Sequence, residues 1–345
     1  MNKKTIIIGA LVIIAVALSY LNVFPETGPI KMVFSIILMV SGFIMLIKGA
    51  DVFVDGASKI ATKFNIPQMV IGLTIVAFGT SLPEAAISIK GAFSGNVGIT
   101  VGNVVGSNIM NILLILGISS CIAALPIKQN TLKIEIPFVI FITVLLLGLG
   151  VLGSDLSRMD GIIFIILLAA FMVYLIYTAK NGESDEDATV LTKKDTMLKL
   201  ICFVILGGVC IVIGSNVTVD AASYIASELG MSDRLIGLTI VAFGTSLPEL
   251  ITSGTAAKRG KVDIAIGNIV GSNIFNILFV IGICTLIHPI EFQVAFIKDT
   301  VVAIAAAIVL FLCVLKNKKL SRNGGIFMLC FYAAYFAYIL YMNYC

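Results

Sequence analysis

Apolar residues in this chain run in long unbroken blocks separated by short polar connections. They do not alternate with polar ones. Eleven such blocks stand out, roughly at 5–24, 32–54, 67–92, 98–123, 134–152, 160–178, 198–220, 235–257, 263–287, 299–315 and 326–343. A run of about 20 apolar residues is what an α-helix needs to cross the hydrocarbon core of a bilayer. The pattern therefore predicts an all-α, polytopic membrane protein. Transmembrane β-barrels show alternating segments of about ten residues instead, and this sequence has none.

Composition agrees. Hydrophobic residues make up 59% of the chain, charged residues 12%, and the mean hydropathy is +1.11. Soluble domains carry about 25% charged residues, so a water-soluble fold is excluded. The net charge of +4 is scattered over short loops and forms no basic stripe, which argues against a nucleic-acid partner. The expected partner is the lipid bilayer, and no obligatory protein partner is evident. The seven cysteines (121, 202, 210, 284, 313, 330 and 345) lie mostly inside apolar blocks and include no CxxC pair. They read as small apolar packing residues. His288 stands alone.

The first block leaves two readings open. Lys3 and Lys4, an apolar stretch and then Ala17-Leu18-Ser19 fit a signal peptide, and they fit a retained extra helix equally. Either way ten core helices remain. Lys and Arg in the loops set the orientation. With a cytoplasmic N-terminus, 17 of these residues fall on the cytoplasmic side, five on the other, and Lys48 lies within a helix, accounting for all 23. The C-terminus is then expected outside the cell membrane. The polar stretch between residues 179 and 197 is a cytoplasmic linker with the acidic run Glu183-Ser184-Asp185-Glu186-Asp187. A solvated loop explains the run better than a calcium sensor, because EF-hand spacing is absent. The linker divides an N-terminal segment (1–30) and a first half (31–178) from a second half (198–345).

The halves are copies. Gly72-Leu-Thr-Ile-Val-Ala-Phe-Gly-Thr-Ser-Leu-Pro-Glu84 recurs unchanged at Gly237–Glu249, 165 residues later. At the same offset, Gly102-Asn-Val-Val-Gly-Ser-Asn-Ile-Met-Asn-Ile-Leu113 answers Gly267-Asn-Ile-Val-Gly-Ser-Asn-Ile-Phe-Asn-Ile-Leu278. The first copy begins beside Lys59 and Lys63, and the second ends beside Lys258, Arg259 and Lys261. By the loop charges the copies run in opposite directions, giving two inverted five-helix repeats. Inverted repeats with interrupted helices are the architecture of secondary transporters. A channel with inverted halves is the alternative.

Glu84 and Glu249 are carboxylates near the centres of their spans. A charge there costs at least about 2.5–3.5 kcal/mol on insertion scales and normally marks an ion path. A structural salt bridge is the competing reading. Its only intramembrane basic partner would be Lys48, one lysine for two symmetric acids. Pro83 and Pro248 precede the acids, and each removes a backbone donor to the carbonyl four residues earlier. Freed carbonyls around Ala77–Gly79 and Ala242–Gly244 are therefore expected to face a cation, with a simple kink as the alternative. Thr80 and Glu84 are i,i+4, as are Thr245 and Glu249, Ser107 and Asn111, and Ser272 and Asn276, which predicts shared helix faces. Ser81 and Ser246 sit one step round. Together these groups make an all-oxygen set that suits hard cations such as calcium. Gly102/Gly106 and Gly267/Gly271 have the spacing of close helix packing. Asn103, Asn108, Asn268 and Asn273 either bind ions or brace the broken helices.

Gly-Thr-Ser-Leu-Pro-Glu in both halves, each followed by Gly-Asn-x-x-Gly-Ser-Asn, resembles the repeats of the sodium/calcium exchanger family, prokaryotic branch, within the calcium/cation antiporters. The resemblance implies ten helices in two inverted five-helix halves, with two long helices sliding across the ion core. It implies ion ligation by the carbonyls of Ala77 and Ala242 and by Thr80, Ser81, Glu84, Ser107, Thr245, Ser246, Glu249 and Ser272, with Asn111 and Asn276 in the remaining core positions. Potassium-dependent members typically have Asp at the position of Asn276, so its identity argues against potassium dependence. Some prokaryotic members carry Asp there too. The large cytoplasmic regulatory domain of animal exchangers is missing from a linker this short. The expected activity is Na⁺/Ca²⁺ exchange by alternating access, with both ions as substrates and no cofactor. A Ca²⁺/H⁺ antiporter uses the same fold, with the two glutamates carrying protons. An enzyme is not expected, since neither HExxH nor GxSxG is present.

Overall fold

The computed structural model describes residues 29–93, 97–181, 195–230 and 242–344. The expected N-terminal block at 5–24, the acidic run at 183–187 and the start of the second motif up to Val241 lie outside the described residues.

The described chain is helical: α1 (Pro29–Lys63), α2 (Gln68–Thr80), α3 (Leu82–Phe93), α4 (97–122), α5 (Thr131–Gly153), α6 (Arg158–Asn181), α7 (Met197–Glu228), α8 (Ala242–Thr245), α9 (Leu247–Lys258), α10 (Val262–Ile287), α11 (Val294–Leu315) and α12 (Arg322–Tyr344). Among the described residues eight helices are long and apolar enough to cross a membrane, nine when the bent pair α2–α3 is taken as one span. The block expected at 235–257 enters the described chain only at Ala242.

α1 outruns its apolar block to Lys63, and its polar end binds the residues at the start of α7. Lys59 Nζ lies 2.9 Å from Asp55 and 3.5 Å from Asp195, and Lys199 Nζ lies 3.1 Å from Asp195. Lys63 Nζ donates to the Asp195 carbonyl at 3.3 Å. The end of α1 therefore sits beside the start of α7, so the two helices run antiparallel. Arg259 meets Asp51 at 2.7 Å, and Lys128 meets Asp263 at 2.7 Å.

Four two-residue strands, which the hydrophobic pattern does not show, clip the halves together. β1 (Leu125–Pro126) pairs with β4 (Lys319–Leu320), and β2 (Asp155–Leu156) with β3 (Ile290–Glu291). Adding the 165-residue offset to β1 gives β3, while β2 and β4, each followed by Ser-Arg, are 164 residues apart; the two clips answer each other across the repeat and each joins one half to the other.

α4 and α10 form the buried centre; every residue of α10 from Ile264 to Phe275 is buried. Glycine permits the crossing of α10 with α2. A Cβ on Gly267 would lie 2.8 Å from the Met69 carbonyl and 3.0 Å from Gly72 Cα; one on Gly271 would lie 2.7 Å from Ala77 Cβ and 2.8 Å from Leu73 Cα. The expected close packing thus holds at Gly267 and Gly271. At the first copy it is not seen among the described residues: a Cβ on Gly102 would come no nearer than 4.0 Å (Phe296), and one on Gly106 would meet nothing within 4 Å. The segment equivalent to Gln68–Val76 begins at 233, outside the described chain up to Ala242.

At Gly267 the obstructing atoms are backbone and cannot turn aside. Gly267→Val should cost about 1–3 kcal/mol by overpacking, read as a lowered thermal midpoint of the detergent-purified protein. Gly148→Ala in α5, where a Cβ meets nothing within 4 Å, should leave that midpoint unchanged.

Candidate functional site

Both copies of the motif break their helix at the same place. Pro83 has no N–H, so the Gly79 carbonyl loses its helical donor. The chain bends at Ser81 (φ −84°, ψ 6°), and α2 and α3 meet at 51°. In the second copy Ser246 (φ −90°, ψ 5°) separates α8 from α9. There the Gly244 carbonyl, four residues before Pro248, accepts the Ser215 hydroxyl of α7 at 2.9 Å. The Ala77 carbonyl is not left bare either. It accepts the Ser81 N–H at 3.0 Å and lies 3.3 Å from the Thr80 hydroxyl and 3.5 Å from that of Ser272. At Gly244 a hydroxyl from α7 thus takes up the pairing that the proline removes, and the Ala77 carbonyl keeps its helical N–H, so these two carbonyls are not bare, against the expectation.

The break also corrects the i,i+4 argument. Thr80 ends α2 and Glu84 lies in α3, so they do not share a continuous face. The hydroxyls cross to the other copy instead. Ser81 Oγ donates to Glu249 Oε1 at 2.9 Å, and Ser246 Oγ lies 3.4 Å from Glu84 Oε1 and 3.4 Å from Ser107 Oγ. Ser272 Oγ lies 3.4 Å from Glu249 Oε1. Glu84, Ser81, Glu249, Ser246, Ser107 and Ser272 thus meet in one cluster built by both halves. Thr80 donates to Asn268 Oδ1 at 3.0 Å. Thr245 is half-buried at the end of α8, and Ala242 begins that helix.

Glu84 and Glu249 are completely buried. The salt-bridge alternative fails among the described residues: Lys48 pairs with Asp51 at 3.6 Å, and no ion pair includes either glutamate. Among the buried oxygens with no hydrogen-bond partner are Oε2 of Glu84, Oε2 of Glu249, Oδ1 of Asn111 and Oδ1 of Asn276. Leaving a buried acceptor unsatisfied costs about 1–3 kcal/mol, more when it is charged. These four are equivalent in pairs across the repeat, 84 with 249 and 111 with 276, and each is an acceptor of the kind hard cations take.

Sequence alone left the other asparagines open, and here they brace. Asn103 Nδ2 lies 3.2 Å from the Glu84 carbonyl and 3.0 Å from Ser88 Oγ, while Asn268 Nδ2 donates to Ser253 Oγ at 2.8 Å. Ser88 and Ser253 are themselves 165 residues apart. The sequence reading missed Ser215, Ser88 and Ser253. The recurrence of the serines at the repeat offset is a signal that marks the last two. It also missed the π-helical turns at Gly72–Val76 in α2 and Thr131–Glu135 in α5, and two more, Met110–Leu116 in α4 and Asn276–Ile281 in α10. Such turns are frequent at functional sites, and the last two hold Asn111 and Asn276.

The sequence matches the family described as sodium/calcium exchanger protein over residues 34–177 and 199–341. It is 39% identical to the putative antiporter CaxA of Alkalimonas amylolytica over 325 residues, covering 90% of this chain and all of that protein. Sodium/calcium exchanger MaX1 of Methanosarcina acetivorans is 31% identical over 344 residues, with 89% and 98% covered. Among solved structures, that of the sodium-calcium exchanger NCX_Mj soaked with Na⁺ and Ca²⁺ superposes with a TM-score of 0.77 at 33% identity, covering 88% of this chain and 97% of that one. The chain belongs to the sodium/calcium exchanger family, a family of membrane cation antiporters.

Proposed function

We propose that this protein exchanges Na⁺ for Ca²⁺ across the cell membrane by alternating access, without requiring K⁺. The observation that carries the reading is the set of four unpartnered buried oxygens on Glu84, Glu249, Asn111 and Asn276. The architecture is ten core helices in two inverted five-helix halves, 31–178 and 198–345, joined by the linker at 179–197. The linker is cytoplasmic and the C-terminus extracytoplasmic.

Two carboxylates neutralise one Ca²⁺. The carbonyls of Ala77 and Ala242, the hydroxyls of Thr80, Ser81, Ser107, Thr245, Ser246 and Ser272, and the amides of Asn111 and Asn276 complete its oxygen shell. A group of Na⁺ ions uses the same ligands, so the two loads exclude each other. With neither bound, two negative charges lie buried with no basic partner. Moving them across the membrane core in that state is costly, which suppresses leak and enforces exchange. A calcium uniport as fast as exchange would contradict this. Amide oxygens at both 111 and 276, in place of a further carboxylate, support potassium independence. Replacing one Ca²⁺ by three Na⁺ would move one net charge, worth about 2.3 kcal/mol per 100 mV.

In sodium-loaded liposomes diluted into sodium-free buffer, the protein should take up ⁴⁵Ca²⁺ at the same rate with and without K⁺ and with the pH gradient collapsed. Glu84→Gln and Glu249→Gln should each lower uptake by at least about tenfold, since a charged contact is worth about 1.5–3 kcal/mol. Uptake driven only by a pH gradient would reassign both glutamates as proton carriers.

The orientation has its own test. A single cysteine placed at Ser184 should react with a membrane-impermeant maleimide only after the cytoplasmic face is opened. Native Cys345, with the other cysteines removed, should react in intact cells. The reverse pattern would invert the topology.

A further inference from the structure

Four asparagines, two from each copy, meet between α4 and α10, all of them buried. Asn276 Nδ2 donates to Asn108 Oδ1 at 3.1 Å, and Asn111 Nδ2 donates to Asn273 Oδ1 at 3.2 Å. Asn108 Nδ2 donates in turn to the Asn273 backbone carbonyl at 3.2 Å. A side-chain amide has one accepting end and one donating end. A cation needs the first and is repelled by the second. In water, or in a loose pocket, an amide turns over freely. Here the donating ends of Asn111 and Asn276 are each held by the acceptor of an asparagine from the opposite copy. Their Oδ1 atoms are the ones left without a donor. The two bonds are equivalent under the 165-residue offset, 108 answering 273 and 111 answering 276.

We propose that Asn108 and Asn273 are positioning residues of the exchange site: each locks the amide of the asparagine it accepts from, Asn276 and Asn111 respectively, with its oxygen towards the ion. The inference rests on reading Asn111 and Asn276 as ion-facing groups. Asn108 is the more firmly held brace, because its own Nδ2 is bonded, whereas Asn273 Nδ2 has no partner among the described residues. The Asn108→Leu effect is therefore the larger of the two.

The test is equilibrium binding of ⁴⁵Ca²⁺ to the purified full-length protein, with variants combined in double-mutant cycles. Asn108→Leu frees the Asn276 amide and should weaken Ca²⁺ binding by about tenfold, the scale of one lost buried hydrogen bond. In an Asn276→Leu background the same change should have no further effect, because its target is gone. Asn273→Leu should behave likewise with Asn111→Leu. Losses that multiply in the double variants would show that Asn108 and Asn273 support the fold independently, and would overturn the proposal. Asn108→Asp keeps an acceptor for Asn276 and covers the case in which Asn108→Leu fails to fold. It should bind no weaker than about threefold below the parent, and a tenfold loss would also overturn the proposal. Glu84→Gln separates the two readings. If it abolishes binding while Asn108→Leu and Asn273→Leu bind as the parent does, the positioning idea falls and the site stands. If Glu84→Gln and Glu249→Gln bind as the parent does, the site reading itself falls.

Discussion

Everything else in this structure is arranged around two carboxylates buried with no basic group beside them. Burial of an unpaired charge is among the largest costs a fold can carry, and Glu84 and Glu249 have no exposed surface at all. Hydroxyls reach them across the copies, Ser81 to Glu249 and Ser246 to Glu84, and Ser272 reaches Glu249 from within its own copy. A hydroxyl brings one proton. The second oxygen of each carboxylate is left without a donor, as the proposed cation site requires.

Because these bonds cross between copies, neither half holds a finished site. The halves must therefore be fixed to each other closely, and three features do this. The α2–α10 crossing brings backbone against backbone at Gly72, Gly267 and Gly271. The asparagine bonds tie α4 to α10. The strand clips β1–β4 and β2–β3 join the loops of one half to those of the other. An error of a few tenths of an ångström at the glycines would separate hydroxyl from carboxylate.

Much of this was legible in the sequence, for identifiable reasons. Helix positions followed from apolar block length, and the site followed from a motif repeated without change at Gly72–Glu84 and Gly237–Glu249. What was not legible depended on tertiary contact. The end of α1 at Lys63 is held by Asp195, just before α7, which receives Lys59 and Lys63, a pairing that no local pattern encodes. The Gly244 carbonyl looked free because the sequence shows the missing N–H of Pro248 but not the Ser215 hydroxyl that replaces it. Likewise Thr80 and Glu84 have helical spacing, yet the bend at Ser81 turns Thr80 towards Asn268. The π-helical turns have no side-chain signature at all, since they arise from packing.

The glycines divide into two kinds, and the division bears on how the site opens. Gly42, Gly49, Gly207 and Gly214 lie in the α1–α7 seam, where a Cβ at Gly207 would lie 2.7 Å from Phe53 N and one at Gly214 2.9 Å from Leu46 N. That seam holds the long helices together as one unit. Gly79 and Gly244, by contrast, lie at the bends and face side chains of the long helices: Phe53 of α1 over Gly79, Val219 of α7 over Gly244. A side chain at either position would wedge the long helix off the core, whereas glycine leaves a flat track. The sliding of long helices that the family resemblance implies requires such a track. The two ends are not equivalent, however. Ser215 of α7 holds the Gly244 carbonyl, while Ala50 of α1 stands at the matching position and has no hydroxyl to offer Gly79. Moving α7 past its bend breaks a hydrogen bond worth about 0.5–1.5 kcal/mol; moving α1 past its own breaks none there. The inverted copies therefore differ at this contact, and the asymmetry lies in a residue outside the repeated motif.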